Sequence, residues 1–205
     1  MAESFTQVPP NSTGNKMRTR SRVIGADTVH EQGVFTAALP TYYALADAVA
    51  FAANKQHLSI FNNAGSNQII AIKKLFHINL SLSAVTGVAV RFDVKKTTAQ
   101  SVGTAITANS ADSTNPALSG VQIATGATVT EGAILYPITT QNDEITAANT
   151  AIANYLMQFG NLALEGVEQQ EYRLRPGEGM TIKQITSTTV GSFAWLMAFT
   201  VESTL

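Results

Sequence analysis

Strict two-residue alternation of apolar side chains, sustained over long runs, limits this chain to one class of fold. From Gln68 to Leu82 the even positions are Ile70, Ile72, Lys74, Phe76, Ile78, Leu80 and Leu82, while the odd positions turn polar after Leu75 at His77, Asn79 and Ser81. From Gly87 to Lys95, Val88, Val90, Phe92 and Val94 alternate with Ala89, Arg91, Asp93 and Lys95. A last run sets Phe193, Trp195, Met197, Phe199 and Val201 against Ala194, Ala198 and Thr200. Successive side chains of a strand point to opposite faces, so each run has one buried face and one wet face, the mark of antiparallel sheets. Leu196 breaks the polarity of the second face of the last run, which places that strand in a central or covered position.

The turn chemistry between these runs suggests how they connect. A strand at Leu58–Phe61 is followed by Asn62-Asn63-Ala64-Gly65-Ser66-Asn67, a run of turn formers. Ser83 to Gly87 is short and ends in glycine, which predicts a hairpin between the two strands it joins. Tyr172 and Leu174 alternate with Arg173 and Arg175, and Met180 and Ile182 with Thr181 and Lys183; Pro176-Gly177-Glu178-Gly179 between them reads as a hairpin turn. Its Gly-x-Gly lies between two strands rather than between a strand and a helix, which argues against a phosphate loop. Residues 97–141, rich in Thr, Ala, Ser, Asn and Gly, read as short strands and exposed loops with apolar pieces at Val121–Ala124 and Ile134–Ile138. Two stretches stay open between strand and helix: 142–159, where one short helix fits the spacing of Ile145, Ala148, Ile152 and Phe159, and the Ala-rich Tyr42–Ala53.

About eight short strands with alternating faces predict an all-β antiparallel sandwich of jelly-roll type. An immunoglobulin-like sandwich is the alternative, although the Cys-Trp-Cys pattern is absent. The domain reading is an extended N-terminal arm over residues 1–36 and a β-sandwich body over 37–205. The arm carries Pro9-Pro10 and a turn-forming stretch, then Lys16, Arg18, Arg20 and Arg22, four of the thirteen cations in seven residues. In an extended strand these four share one side. They read either as a solvated terminus or as an arm lying across an acidic neighbouring surface. Without interleaved aromatics they make a poor nucleic-acid site.

Charged residues are only 13 % of the chain and the net charge is −1, so no global field points to nucleic acid or to a membrane surface. No apolar run approaches the ~20 residues of a spanning helix. Ala, Thr and Ser make up 29, 25 and 14 residues, a third of the chain, which suits packing against other protein. Cysteine is absent, and with it disulfides, thiolate metal sites and Cys nucleophiles.

Candidate chemistry is sparse. Of the three histidines, His77 falls on the polar side of its strand and reads as solvent-facing, and a His57–His77 metal pair would need strand pairing to build it. His30 has no partner at metal spacing. Asp143-Glu144 and Glu165, Glu168 and Glu171 are acidic clusters that read as solvated loops rather than a glycosidase pair. Asn11-Ser12-Thr13 and Asn79-Leu80-Ser81 match the glycosylation pattern but lack a secretion signal beside them. Trp195 reads as core; Tyr42, Tyr43 and Tyr136 are the candidates for a stacking surface, with nothing to group them. No cofactor or metal is expected.

A cysteine-free, Thr/Ala-rich chain with a polar N-terminal arm and one β body resembles the small virion structural proteins of tailed bacteriophages. Glu171-Tyr172-Arg173-Leu174-Arg175-Pro176-Gly177-Glu178-Gly179-Met180 is the stretch that looks most like their strand-turn-strand signature. The resemblance implies a jelly-roll protein, often trimeric, that decorates or cements a capsid or forms part of a head fibre. No catalytic residues transfer with it. The expected function is therefore non-enzymatic: a virion component, assembled in the host cytoplasm, that binds the major capsid protein or other virion proteins and copies of itself, with no nucleic-acid or membrane partner. Lys16, Arg18, Arg20 and Arg22 are the expected contacts. A receptor- or glycan-binding module using loops of residues 97–141 is the alternative, and a hydrolase built on converging carboxylates is a third.

Overall fold

The computed structural model describes residues 3–7, 16–24, 27–32, 39–79, 88–101, 103–142, 155–158 and 172–203. The chain divides into two compact units, Met1–Ala38 and Leu39–Leu205. In the first, β1 (Glu3–Gln7), β2 (Lys16–Ile24) and β3 (Asp27–Gln32) form an antiparallel sheet with β2 in the middle. Ile24 opposite Asp27 leaves only Gly25-Ala26 between β2 and β3. The stretch read as an extended arm is therefore a small sheet in its described parts.

The second unit is an antiparallel β-sandwich. Its strands are β4 (Thr41–Ala50), β5 (Gln56–Asn62), β6 (Gln68–Asn79), β7 (Val88–Ser101), β8 (Thr104–Ala105), β9 (Asn109–Ser110), β10 (Val121–Thr125), β11 (Thr128–Asn142), β12 (Tyr155–Gln158), β13 (Tyr172–Leu174), β14 (Gly179–Gln184) and β15 (Ser192–Ser203). One sheet runs β11-β7-β14-β5-β10-β8, and the other runs β12-β6-β15-β4-β9 with β13 also pairing β6. Among the described residues there is no helix.

This connectivity corrects the expected hairpins. β6 and β7 lie in different sheets, and so do β5 and β6, and β13 and β14. Each turn carries the chain across the sandwich. Arg175 to Glu178 is a tight turn closed by Glu178 N donating to Arg175 O (2.9 Å), with Gly177 at φ 86° in the corner that a type II turn reserves for glycine. It leads from Leu174, opposite Ile70 in one sheet, to Gly179, opposite Phe61 and Thr97 in the other. Glycine is required at 179 for a second reason. A Cβ there would fall 2.6 Å from Ile60 O and 2.7 Å from the Phe61 ring.

The buried faces follow the alternation. Val90, Phe92 and Val94 are fully buried on β7, and Phe193, Trp195, Met197 and Phe199 on β15, which lies between β4 and β6. On β6 the phase changes partway. Ile70 and Ile72 point inward, but so do Leu75 and His77, because Lys73 is an extra residue between Ile72, opposite Phe199, and Lys74, opposite Ala198. A bulge of this kind moves every later side chain to the other face.

Tyr42–Ala53 is not helical over 42–50, which belong to strand β4. Two of its alanines face inner side chains of β15: Ala44 lies opposite Met197 and Ala46 opposite Trp195. Small residues are needed there because the neighbouring strand fills the space, a packing demand that overrides the helical propensity of alanine. Of 142–159, Tyr155–Gln158 is strand; 143–154 and 159 lie outside the described residues.

Ala46→Leu should therefore overpack the core and lower the unfolding free energy by about 1–3 kcal/mol. Leu45→Ala, one position along on the exposed face, should change it by less than about 0.5 kcal/mol. Urea denaturation followed by tryptophan fluorescence compares the two.

Candidate functional site

One end of the sandwich carries two open grooves on either side of the 111–120 segment. The segment is tied down throughout. Asp112 Oδ1 accepts from Thr114 N and Thr114 Oγ1, both at 2.8 Å, closing a turn. Asn115 Nδ2 donates to Ser110 Oγ at 2.9 Å, and Gln68 Nε2 donates to Ser119 O. Tyr42, with its ring stacked on Phe199 in the core, donates its hydroxyl to Pro116 O at 2.6 Å. The smaller groove, about 380 Å³, has an apolar floor of Ile106, Ala108, Leu118, Val121 and Ile123 and a polar rim that includes Ser110 and Asn115. The larger, about 720 Å³, runs past Leu39, Pro40, Gln68 and Glu202. An apolar floor with a few fixed polar groups is the usual composition of a ligand groove.

The three tyrosines do not gather there. Tyr42 is buried and gives only its edge to both grooves, Tyr43 is exposed on β4, and Tyr136 is exposed on β11 opposite Val94. Lys16, Arg18, Arg20 and Arg22 fall on the middle strand of the N-terminal sheet at positions of one parity. Asp143, Glu144, Glu165, Glu168 and Glu171 lie outside the described residues, as does Asn11-Ser12-Thr13. Among the described residues no group of three or more His, Asp or Glu could hold a metal ion.

His77 is not solvent-facing. The bulge at Lys73 turns it into the core, 1 % exposed, with its ring centroid 4.2 Å from that of Phe193 and 5.3 Å from that of Trp195. His57, fully buried on β5, stacks edge-on against Phe92 from the opposite sheet to His77. Strand pairing does not join the two histidines, because β5 and β6 belong to different sheets. Instead they sit in one aromatic cluster with Phe51, Phe92, Phe193 and Trp195. Burial holds both imidazoles far below their ordinary range, down to about 4; at His57 a hydrogen bond with Gln184 opposes the shift and the Lys55 charge adds to it. Gln184 Oε1 lies 3.0 Å from His57 Nε2 and also accepts from Ala52 N, so His57 carries its proton on Nε2.

A second polar cluster was hidden in the sequence. Glu131, opposite Thr97 in a bulged part of β11, receives Lys95 Nζ at 2.7 Å and Lys183 Nζ at 2.6 Å, and Gln56 Nε2 donates to it at 3.1 Å. Gln56 in turn accepts from Thr181, which pairs with Ser59 at 2.7 Å. Burial pushes the Glu131 carboxyl up, but the hydrogen bonds and charges of Lys183 and Lys95 outweigh it and keep it below the usual range. Four strands, β5, β7, β11 and β14, supply these groups, and no sequence spacing announces them.

The histidines set a pH dependence. Unfolded, each protonates near its ordinary value of 6.5; folded, only near 4, so the native state binds fewer protons in between. Their contribution is fully present above about pH 6.5 and is lost as pH falls toward 4, by about 2–3 kcal/mol per histidine. His77, both of whose ring nitrogens lack a hydrogen-bond partner among the described residues, should tolerate Phe at pH 7. His77→Phe should keep its stability at pH 4.5 better than the natural chain by that amount, measured by chemical denaturation at both pH values.

Against known protein families, characterised proteins and solved structures, the chain has no match.

Proposed function

We propose that this chain is a non-enzymatic structural component of a virion, one that decorates or cements the capsid of a tailed bacteriophage. The observation that carries this reading is the strand order. With β8, β9 and β10 taken as an insertion and β13 as a side pairing, the sheets read β4-β15-β6-β12 and β5-β14-β7-β11. The first strand lies beside the last, and the chain changes sheets at every step except from β7 to β11. Taken so, the order supports reading the sandwich as a jelly roll, an architecture used by viral capsid and lectin domains. The resemblance of Glu171 to Met180 to phage virion proteins points the same way, as does the low charge of the chain. The partners proposed are the major capsid protein and further copies of this chain, with Lys16, Arg18, Arg20 and Arg22 meeting acidic groups of the lattice.

A second reading has its own support in the grooves beside the 111–120 segment. Their apolar floor and polar rim suit a glycan or peptide of a receptor, and lectins share the jelly-roll order.

In co-sedimentation with capsids of the source phage, the full chain should bind and lose affinity as salt rises. Reversing the four cations together (Lys16→Glu, Arg18→Glu, Arg20→Glu, Arg22→Glu) should weaken binding at least about tenfold without changing the melting temperature of the sandwich. Full occupancy by the variant would remove those cations from the interface. Failure of the natural chain to bind capsids, together with glycan-array hits lost in Asn115→Ala, would favour the second reading.

A further inference from the structure

The outer face of the sheet that contains β15 presents a compact patch on three neighbouring strands. On β4 the outward residues are Tyr43, Leu45 and Asp47, on β15 Ala198, Leu196 and Ala194, and on β6 Lys74, Phe76 and Ile78. The register lines them up. Tyr43, Ala198 and Lys74 form one row, and Leu45, Leu196 and Phe76 the next. In the third row Ala194 stands opposite Ile78 on one side; on the other, a shift of register leaves Asp47 and Ala48 across from it. Strand and residue spacings make the patch about 10 Å by about 14 Å. Tyr43 and Leu45 are 41 % and 46 % exposed, large values for apolar side chains. Ala194 and Ala198 are sunk between their larger neighbours. Lys74 and Asp47, both exposed, occupy opposite corners, and neither forms an ion pair among the described residues.

From this arrangement we infer that the patch is a two-fold interface with a second copy of the chain. Place a two-fold axis in the plane of the patch along the diagonal from Tyr43 through Leu196 to Ile78. The axis brings Lys74 of each copy over Asp47 of the other, so the dimer holds two ion pairs and leaves none of the four charges unmatched. It sets Leu45 into the depression at Ala198 of the other copy and Phe76 into the depression at Ala194. Leu196 meets its own counterpart on the axis. Large side chains therefore face small ones, and opposite charges face each other, with one operation.

The other in-plane axes fail. An axis along β15 puts Asp47 against Ile78 and Leu45 against Phe76, and an axis across the strands puts Lys74 against Ile78. The diagonal axis crosses the strands of the two copies at about 70°, closer to the orthogonal than to the aligned way in which sheets stack face to face. A patch of this size falls far short of the roughly 800 Å² per partner of a standard interface, so it supports weak, transient association rather than an obligate dimer. The inference stands whether or not the chain binds capsids.

Sedimentation equilibrium of the full chain, from low micromolar to millimolar concentration, tests it. The expected result is a reversible monomer–dimer equilibrium that Leu45→Glu abolishes. Asp47→Lys and Lys74→Glu should each weaken it about tenfold or more, and the double exchange, which restores both pairs with their signs reversed, should recover the natural affinity. Circular dichroism melts confirm that each variant folds. A chain that stays monomeric at every concentration overturns the inference. So does a trimer, a dimer indifferent to Leu45→Glu, or a double exchange no tighter than the single variants.

Discussion

Both sheets of the sandwich depend on the inner face of β15. Phe193, Trp195, Met197 and Phe199 are without measurable exposure, and they sit on a strand hydrogen-bonded to β4 on one side and β6 on the other. Across the interface Phe92 of the opposite sheet packs within 5.7 Å of Phe193 and 5.1 Å of Trp195, centroid to centroid, and Phe51 meets Phe193 edge-on at 4.8 Å. Side chains of this size bury more apolar surface than any others and dominate the energetics of a core. Their neighbours have given way accordingly: alanine at 44 and 46, and a histidine rather than a larger ring at 77.

The sheet-crossing turns carry polar backbone into this dry interior, and two buried amides receive it. Asn62, at the end of β5, donates to Gln68 O at 2.8 Å and to Leu174 O at 3.0 Å, so a side chain from one sheet ties down two strands of the other. Its own backbone bonds the Pro176-Gly177 turn through Gly177 N and Glu178 O. Gln184 accepts from Ala52 N and His57 and donates to Thr186 O and Thr188 O, holding the links before β5 and before β15. A buried carbonyl or amide left without a partner costs about 1–3 kcal/mol, so these two side chains stabilise the crossings as much as the turns themselves do.

Much of this was legible in the residues. Alternation found β6, β7, β14 and β15, placed β15 in a central position and put Trp195 in the core, because burial on one face of a strand leaves a period that nothing else imitates. Pairing partners were not legible. Asn-Gly-Ser and Pro-Gly stretches mark a reversal of direction, but a reversal within a sheet and one between sheets use the same residues. One extra residue at Lys73 was enough to misplace His77, and bulging likewise concealed the ion pairs of Glu131. The grooves were foreseen only as loops within residues 97–141, because their walls come from β4, β10 and the segment between them. The interface patch was out of reach for the same reason, since it exists only once three strands far apart in sequence are set side by side.

Placing β4 beside β15 joins the first strand of the body to its last, with Thr41 opposite Thr200. Nearly every other pairing in the sandwich is also long in sequence, as Ser59 opposite Thr181 illustrates. Loop-closure entropy has to be overcome before such contacts contribute anything, so folding of this chain belongs at the slow end of the range for domains of its size. On the ribosome the consequence is sharper. Until Trp195 and its neighbours emerge, β4 and β6 have no strand to lie between them, and two long apolar edges wait open. The body can close only after β15 has left the ribosome.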